Sequence, residues 1–135
     1  MKLKILDAVD NRLDERREKR KTAEDLFSSA IKIRDNFTCR KCGTSGVVME
    51  TAHFITRGNK KVQFEFNNGF TLCKYNCHIW AHKKRIEFEE WVKLQLGDKK
   101  FYSLVQLANS IWKETAEFYD EKIIELRAYI KKNKR

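Results

Sequence analysis

The sequence predicts an α+β chain in which a small cysteine-stapled core of short strands is flanked by long α-helices at both ends. Three observations carry that prediction. All four cysteines fall as two close pairs in the middle of the chain, Cys39/Cys42 and Cys73/Cys77. Four of the five glycines (Gly43, Gly46, Gly58 and Gly69) punctuate that same stretch into short apolar runs. On either side, apolar residues recur every three or four positions, and the 135 residues contain no proline to interrupt a helix. The segments are read as an N-terminal helical extension over 1–36, a compact core over 37–85 and a C-terminal helical region over 86–135 that packs on the core.

In the first segment Leu6, Val9 and Leu13 stand at helical spacing, followed by the charge run Arg16-Arg17-Glu18-Lys19-Arg20-Lys21, read as a solvated helix or linker. Thr22 and Asp25 have the spacing of a capping-box start, and Leu26, Phe27, Ala30, Ile31 and Ile33 supply the apolar face of the helix that would follow. In the middle segment Val47-Val48-Met49, Glu50 to Ile55 and Val62-Gln63-Phe64 are candidate strands. A helix is expected from about Cys77. Beyond it, Ile86, Phe88, Trp91, Val92 and Leu94 lead to a stop at Gly97. A further apolar periodicity runs from Phe101 through Trp112 and Phe118 to Ile130, with its aromatics read as core.

Apolar residues make up 41% of the chain, enough for a packed core, yet no run approaches the roughly 20 residues of a membrane span. The opening Met1-Lys2-Leu3-Lys4-Ile5-Leu6-Asp7 reaches acid too soon for a secretory signal, so a cytoplasmic location is expected. The formal charge is +10. Residues 36–85 carry 9 basic and 2 acidic side chains, so most of the excess sits where every cysteine and histidine sits. Such a field attracts a polyanion and makes affinity fall steeply with salt.

A two-residue gap in Cys39-Arg40-Lys41-Cys42 lets two thiolates face one tetrahedral ion, and the three-residue gap in Cys73-Lys74-Tyr75-Asn76-Cys77 stays within the usual range. Four thiolates fill a zinc ion's coordination, so the site reads as structural Zn²⁺. His53, Asn68, His78 and His82 then remain for other chemistry. On a helix starting near Cys77, His78 and His82 share one face.

Cys39/Cys42, His53, Asn68, Cys73/Cys77 and His78, in that order, resemble the HNH endonuclease superfamily, whose members link a β-hairpin to a helix around one divalent cation (the ββα-metal finger). The stretch Ala52-His53-Phe54-Ile55-Thr56-Arg57-Gly58, then Phe64 to Asn68, and later Phe88-Glu89-Glu90-Trp91 through Leu96-Gly97, is similar to phage NinG/Rap recombination endonucleases. The superfamily resemblance covers about 37–85 and the closer one extends to about 115. It implies a metal-dependent DNA endonuclease in which His53 deprotonates the attacking water. Asn68 would orient His53 or shape the metal loop, and His78 and His82 would serve the metal or the scissile phosphate. The implied catalytic cation is Mg²⁺ or Mn²⁺, and the products carry 5′-phosphate and 3′-hydroxyl ends.

Two departures stand out. Many relatives carry Asp or His immediately before the base, where this chain has Ala52, and Glu50 is the candidate that compensates as a ligand. The second cysteine gap is also one residue longer than usual, which could rotate His78 away from the metal and promote His82. Arg57, Lys60, Lys61 and Lys74 are expected to contact DNA phosphates. The resemblance also suggests branched recombination intermediates as substrate, host cytoplasm as location and a homodimer for paired incisions. The competing expectations are a non-catalytic zinc-finger DNA-binding module, a nonspecific or packaging-associated nicking enzyme, and a protein-interaction module whose basic core meets an acidic partner.

Overall fold

The computed structural model describes residues 2–134, with side chains described from Asn11 onward. Its elements are helix α1 (Lys2–Arg34), strand β1 (Met49–His53), strand β2 (Gly69–Cys73) and helices α2 (Cys77–Lys83), α3 (Arg85–Leu96), α4 (Asp98–Ala108) and α5 (Ala116–Asn133). A single 3-10 turn, Phe66–Asn68, precedes β2. The chain is therefore α+β, with a two-stranded antiparallel sheet as its only sheet among the described residues. Among the described residues no helix is long and apolar enough to cross a membrane.

With no glycine or proline before residue 43, nothing interrupts α1, and its 33 residues span about 50 Å. The capping-box start expected at Thr22 and Asp25 is not there. Thr22 Oγ1 instead donates back to the Glu18 carbonyl at 3.0 Å, as a hydroxyl does inside a continuous helix. Ala23, Phe27, Ala30 and Ile31 form the buried stripe, and with Leu26 they meet Tyr119, Ile123 and Leu126 of α5. The side chains of Leu6 and Val9 lie outside the described ones. The charge run is largely consumed in pairing. Arg16 and Arg20 both approach Glu114 at 3.7 Å, and Lys19 meets Asp120 at 3.1 Å.

Helix α1 ends without a glycine. Asn36 (φ 55°) and Phe37 (φ 52°) take the left-handed conformation, and the Phe37 N–H closes back on the Lys32 carbonyl at 2.8 Å. This turn delivers the chain to the first cysteine pair, and β1 then pairs with β2 in the register His53↔Gly69, Thr51↔Thr71 and Met49↔Cys73.

The sheet lies between two helical layers. Thr51, His53, Gly69 and Thr71 face α1, where Ser28 Oγ and Thr51 Oγ1 are 3.1 Å apart. Ala52, Phe70 and Leu72 face α2–α4 and pack with Ala81, Phe88, Val92 and Phe101. Contact with α1 is close enough to dictate sequence. A Cβ on Gly69 would stand 2.9 Å from Phe27 Cε1 and Cζ, and 3.1 Å from Ile31 Cγ1.

Three further expectations change in detail. Val62-Gln63-Phe64 is not a strand. All three residues are buried in an irregular loop, where Phe64 meets Phe27 and Tyr119 edge-on at 5.9 and 6.0 Å. Val47 and Val48 are exposed and precede β1. Residues 101–130 form two helices, not one run, with Thr115 Oγ1 capping α5 by accepting from the Phe118 N–H at 3.1 Å. The periodic residues Ile86, Leu94 and Ile111 face solvent.

One buried carboxylate joins these layers. Asp35 receives Arg34 Nε at 2.8 Å and Nη2 at 2.9 Å, Arg40 Nη1 at 3.1 Å and the Thr71 backbone N–H at 3.0 Å. Burial works to raise its pKa, but Arg34, the Thr71 N–H and Arg40 together outweigh that and hold it below 3.8. The unfolded chain therefore binds the extra proton near pH 4. The network's contribution is complete above that pH and is lost as acid passes the lower folded value. We expect Asp35→Asn to unfold about 3 kcal/mol more easily at pH 7, because two guanidinium groups lose their anion. Denaturant titrations of parent and variant should converge as pH falls toward 3.

Candidate metal centre and histidine cleft

The four cysteine sulfurs lie within 4.8 Å of one another. Cys42 Sγ and Cys73 Sγ are 3.8 Å apart, which matches the edge of a tetrahedron with metal–sulfur bonds of about 2.3 Å. Backbone amides already point at the sulfurs, Cys42 N–H toward Cys39 Sγ (3.5 Å) and Cys77 N–H toward Cys73 Sγ (3.3 Å). The pairs are presented by the turn after α1 and by the junction of β2 with α2. The cluster thus ties both ends of the hairpin segment together. Thr44, with its hydroxyl 3.1 Å from Cys42 Sγ, lowers the Cys42 thiol to about 6, while burial pushes the Cys77 thiol up. A cation is what allows all four to be thiolates at once.

The histidines gather in a separate cleft of about 550 Å³, walled by α1, β1, the loop after β1, and the α2–α3 corner. His53 ends β1. Its Nε2 lies 2.9 Å from the Gln63 carbonyl oxygen, which can only accept, so Nε2 carries the proton and Nδ1 keeps a free lone pair. Phe27 lies against the ring at a centroid distance of 5.4 Å. Burial, reinforced by the nearby Arg57 charge, pushes the His53 pKa below its ordinary value.

His78 and His82, one turn apart on α2, bring their Nε2 atoms to 3.1 Å. The Glu50 carboxylate accepts from His78 Nδ1 at 3.0 Å, which leaves the His78 Nε2 lone pair pointing at His82. Glu50 and Ala52 share the sheet face that meets α2, and Ala52 is buried in the apolar core. Glu50 is therefore the residue of β1 on that face with a polar side chain to offer, and its carboxylate accepts from His78. The longer cysteine gap has not carried His78 out of the cleft; both histidines line it.

The Asn68 side chain makes no hydrogen bond to His53. Fully buried, it accepts the Ile55 N–H at 2.7 Å and donates to the carbonyls of Ile55 (2.9 Å) and Val62 (3.1 Å), so it pins both ends of the loop that carries Arg57. Of the four cations expected at phosphates, only Arg57 lines the cleft. Lys60 pairs with Glu114 at 3.4 Å. Lys61 donates to Ser110 Oγ and the Ile111 carbonyl, and Lys74 lies over the Tyr75 ring, 5.3 Å from its centroid.

The cleft also contains residues that sequence reasoning did not single out, namely Glu24, Ser28 and Lys32 of α1, Gln63, and Arg85. Arg85 donates to the Phe54 carbonyl at 2.8 Å. Nothing marks Gln63 in sequence as the partner of His53, since it acts through its backbone oxygen. Comparison with protein-family models, with curated proteins and with solved structures returned no match for this chain.

Both carboxylates of the cleft are engaged. Glu50 holds His78, and Glu24 accepts from Gln63 Nε2 at 2.8 Å and pairs with Arg20 at 3.7 Å. Lys32, Arg57 and Arg85 have no ion-pair partner among the described residues. The arrangement is a neutral imidazole and a two-histidine pair inside a cleft lined by three cations and two carboxylates, a net positive lining suited to an anion. In imidazole NMR titrations we expect the His53 ring to protonate below 6.5, and the assignment is checked by the resonance that disappears in His53→Ala.

Proposed function

We propose that this chain is a metal-dependent DNA endonuclease of the HNH type, with a structural Zn²⁺ held by Cys39, Cys42, Cys73 and Cys77. The observation that carries this reading is the shared cleft: a histidine with one nitrogen tied and the other free stands in the same cavity as a carboxylate-braced histidine pair and three unpaired cations.

His53 is the general base. The Gln63 carbonyl fixes its tautomer and Phe27 its ring plane, so Nδ1 is aimed and unprotonated at neutral pH. His78 and His82 would hold the catalytic cation, with Glu50 orienting His78 from behind. Two nitrogen donors suit Mn²⁺ better than the oxygen-seeking Mg²⁺. A cation bound there would supply Lewis-acid stabilisation of charge on the phosphate and the leaving 3′ oxygen. Asn68 positions the loop that carries Arg57, and Arg57 and Arg85 hold the phosphodiester in place. Branched DNA as the preferred substrate rests on the sequence resemblance alone.

Purified protein should carry one equivalent of zinc by elemental analysis. Stripping that zinc with a strong chelator should lower the thermal midpoint by roughly 10 °C or more, and Cys39→Ser should abolish the equivalent. Zinc-free protein with an unchanged midpoint would refute the structural site.

On supercoiled plasmid, added Mn²⁺ should give nicked product, and His53→Ala should slow nicking by about 100-fold or more with the fold intact by circular dichroism. Parent protein that retains plasmid on a gel but never nicks it with any divalent cation is instead a DNA-binding zinc finger. Comparing linear, flap and four-way-junction substrates tests the branched preference.

A further inference from the structure

The face of α1 that meets the hairpin carries Glu24, Phe27, Ser28 and Lys32, at positions i, i+3, i+4 and i+8 of one helical stripe. Three of the four are bound into the hairpin that holds His53. Glu24 takes the side chain of Gln63, Phe27 covers the His53 ring and Ser28 meets Thr51. Lys32, the fourth, lines the cleft with no hydrogen-bond or ion-pair partner of its side chain among the described residues. Its backbone carbonyl accepts the Phe37 N–H, which anchors the helix end that presents it.

We propose that α1 is a substrate-binding wall of the cleft, not an appendage, and that Lys32 binds a nucleic-acid phosphate next to the one that reaches His53.

The direction of the helix sets which phosphate. Phe27 meets His53 at the end of β1 and Ser28 meets Thr51, so α1 runs antiparallel to β1 and its higher numbers approach the start of the strand. Lys32 lies five residues beyond Phe27, roughly 7.5 Å along the helix axis. That displacement takes it past the group held at His53 and toward a neighbouring phosphodiester. The charge balance agrees. The two carboxylates lining the cleft, Glu24 and Glu50, are turned toward Gln63 and His78, and neither pairs with Lys32, so its ammonium keeps room for an outside anion. A point charge on a flexible stem contacts phosphate without reading base sequence.

The proposal deepens the nuclease reading by assigning part of its substrate site, but it also stands if the protein binds DNA without cutting it. The test is therefore binding, measured on the full chain as purified, in buffer without added divalent cation. A fluorescently labelled oligonucleotide is titrated across a range of salt concentrations. Lys32→Ala should weaken binding about five- to tenfold at low salt, and the slope of log K against log[salt] should shrink by roughly 0.7–0.9. Lys32→Arg should retain both, and Lys99→Ala on the exposed face of α4 should match the parent. Because the Lys32 side chain has no internal partner, all three variants should keep the parental thermal midpoint. An unchanged salt slope in Lys32→Ala overturns the proposal while leaving the nuclease reading intact. Parent protein that binds but never nicks overturns the nuclease reading while leaving this one intact. Parent protein that binds no oligonucleotide overturns both.

Discussion

The Arg34–Asp35 pair is the constraint on which the rest of this molecule depends. Asp35 pairs with both Arg34 and Arg40 and accepts the Thr71 N–H, while Arg34 reaches on to the carbonyls of Phe66 (2.6 Å) and Gly69 (2.7 Å). One buried ionic cluster therefore fixes the end of α1, the first cysteine loop and the start of β2 relative to one another. An ion pair this buried gains little over apolar packing, but losing one partner leaves charge stranded, so its energetic value lies in specifying a single arrangement. That arrangement sets how close α1 comes to the sheet. Phe27 reaches His53 only because its cross-strand partner is Gly69, where any Cβ would collide with the Phe27 ring.

Much of the core could be read from the sequence because its signals are local. Two-residue and three-residue cysteine gaps describe the geometry of single turns. The strand carrying His53 and the helix carrying His78 and His82 follow from short-range pattern. What escaped was decided at long range. Every residue of β2 is buried between helical layers, so it has no alternation to detect, whereas Val62-Gln63-Phe64 looks strand-like but is buried as a loop wedged under α1 and α5. The Thr22 cap failed because a capping motif is a local preference, and the continuous packing of α1 on α5 outweighs it.

The candidate site divides in the same way. Which histidines are present was legible; what holds each of them was not. His53 is set by a backbone carbonyl ten residues away, Glu50 finds His78 from the neighbouring strand, and the long lysine pair Lys60 and Lys61 is drawn off to the segment before α5. Charge in sequence counts residues, but a field in a cleft depends on which charges remain after internal pairing. Here Glu24 and Glu50 are turned toward Gln63, Arg20 and His78, and the cations without an ion-pair partner come from three separate elements: α1, the loop after β1 and the start of α3.

The cysteine cluster and the histidine cleft are mechanically one device. Cys77 is the first residue of α2, and His78 follows it by one step of about 100° around the helix axis. Fixing the Cys77 sulfur in the cluster therefore fixes the direction in which His78 leaves the helix, and His82 one turn later inherits the same heading. A longer loop between Cys73 and Cys77 leaves that relation unchanged, because the extra residue is absorbed in the turn at 74–76 before the helix begins. The sheet completes the constraint from the other side. Met49 pairs with Cys73, so Glu50 starts one residue from the cluster and extends toward α2, where it meets His78. An ion among the thiolates would thus tune the histidine pair without touching it, by holding both the strand that supplies Glu50 and the helix that supplies His78.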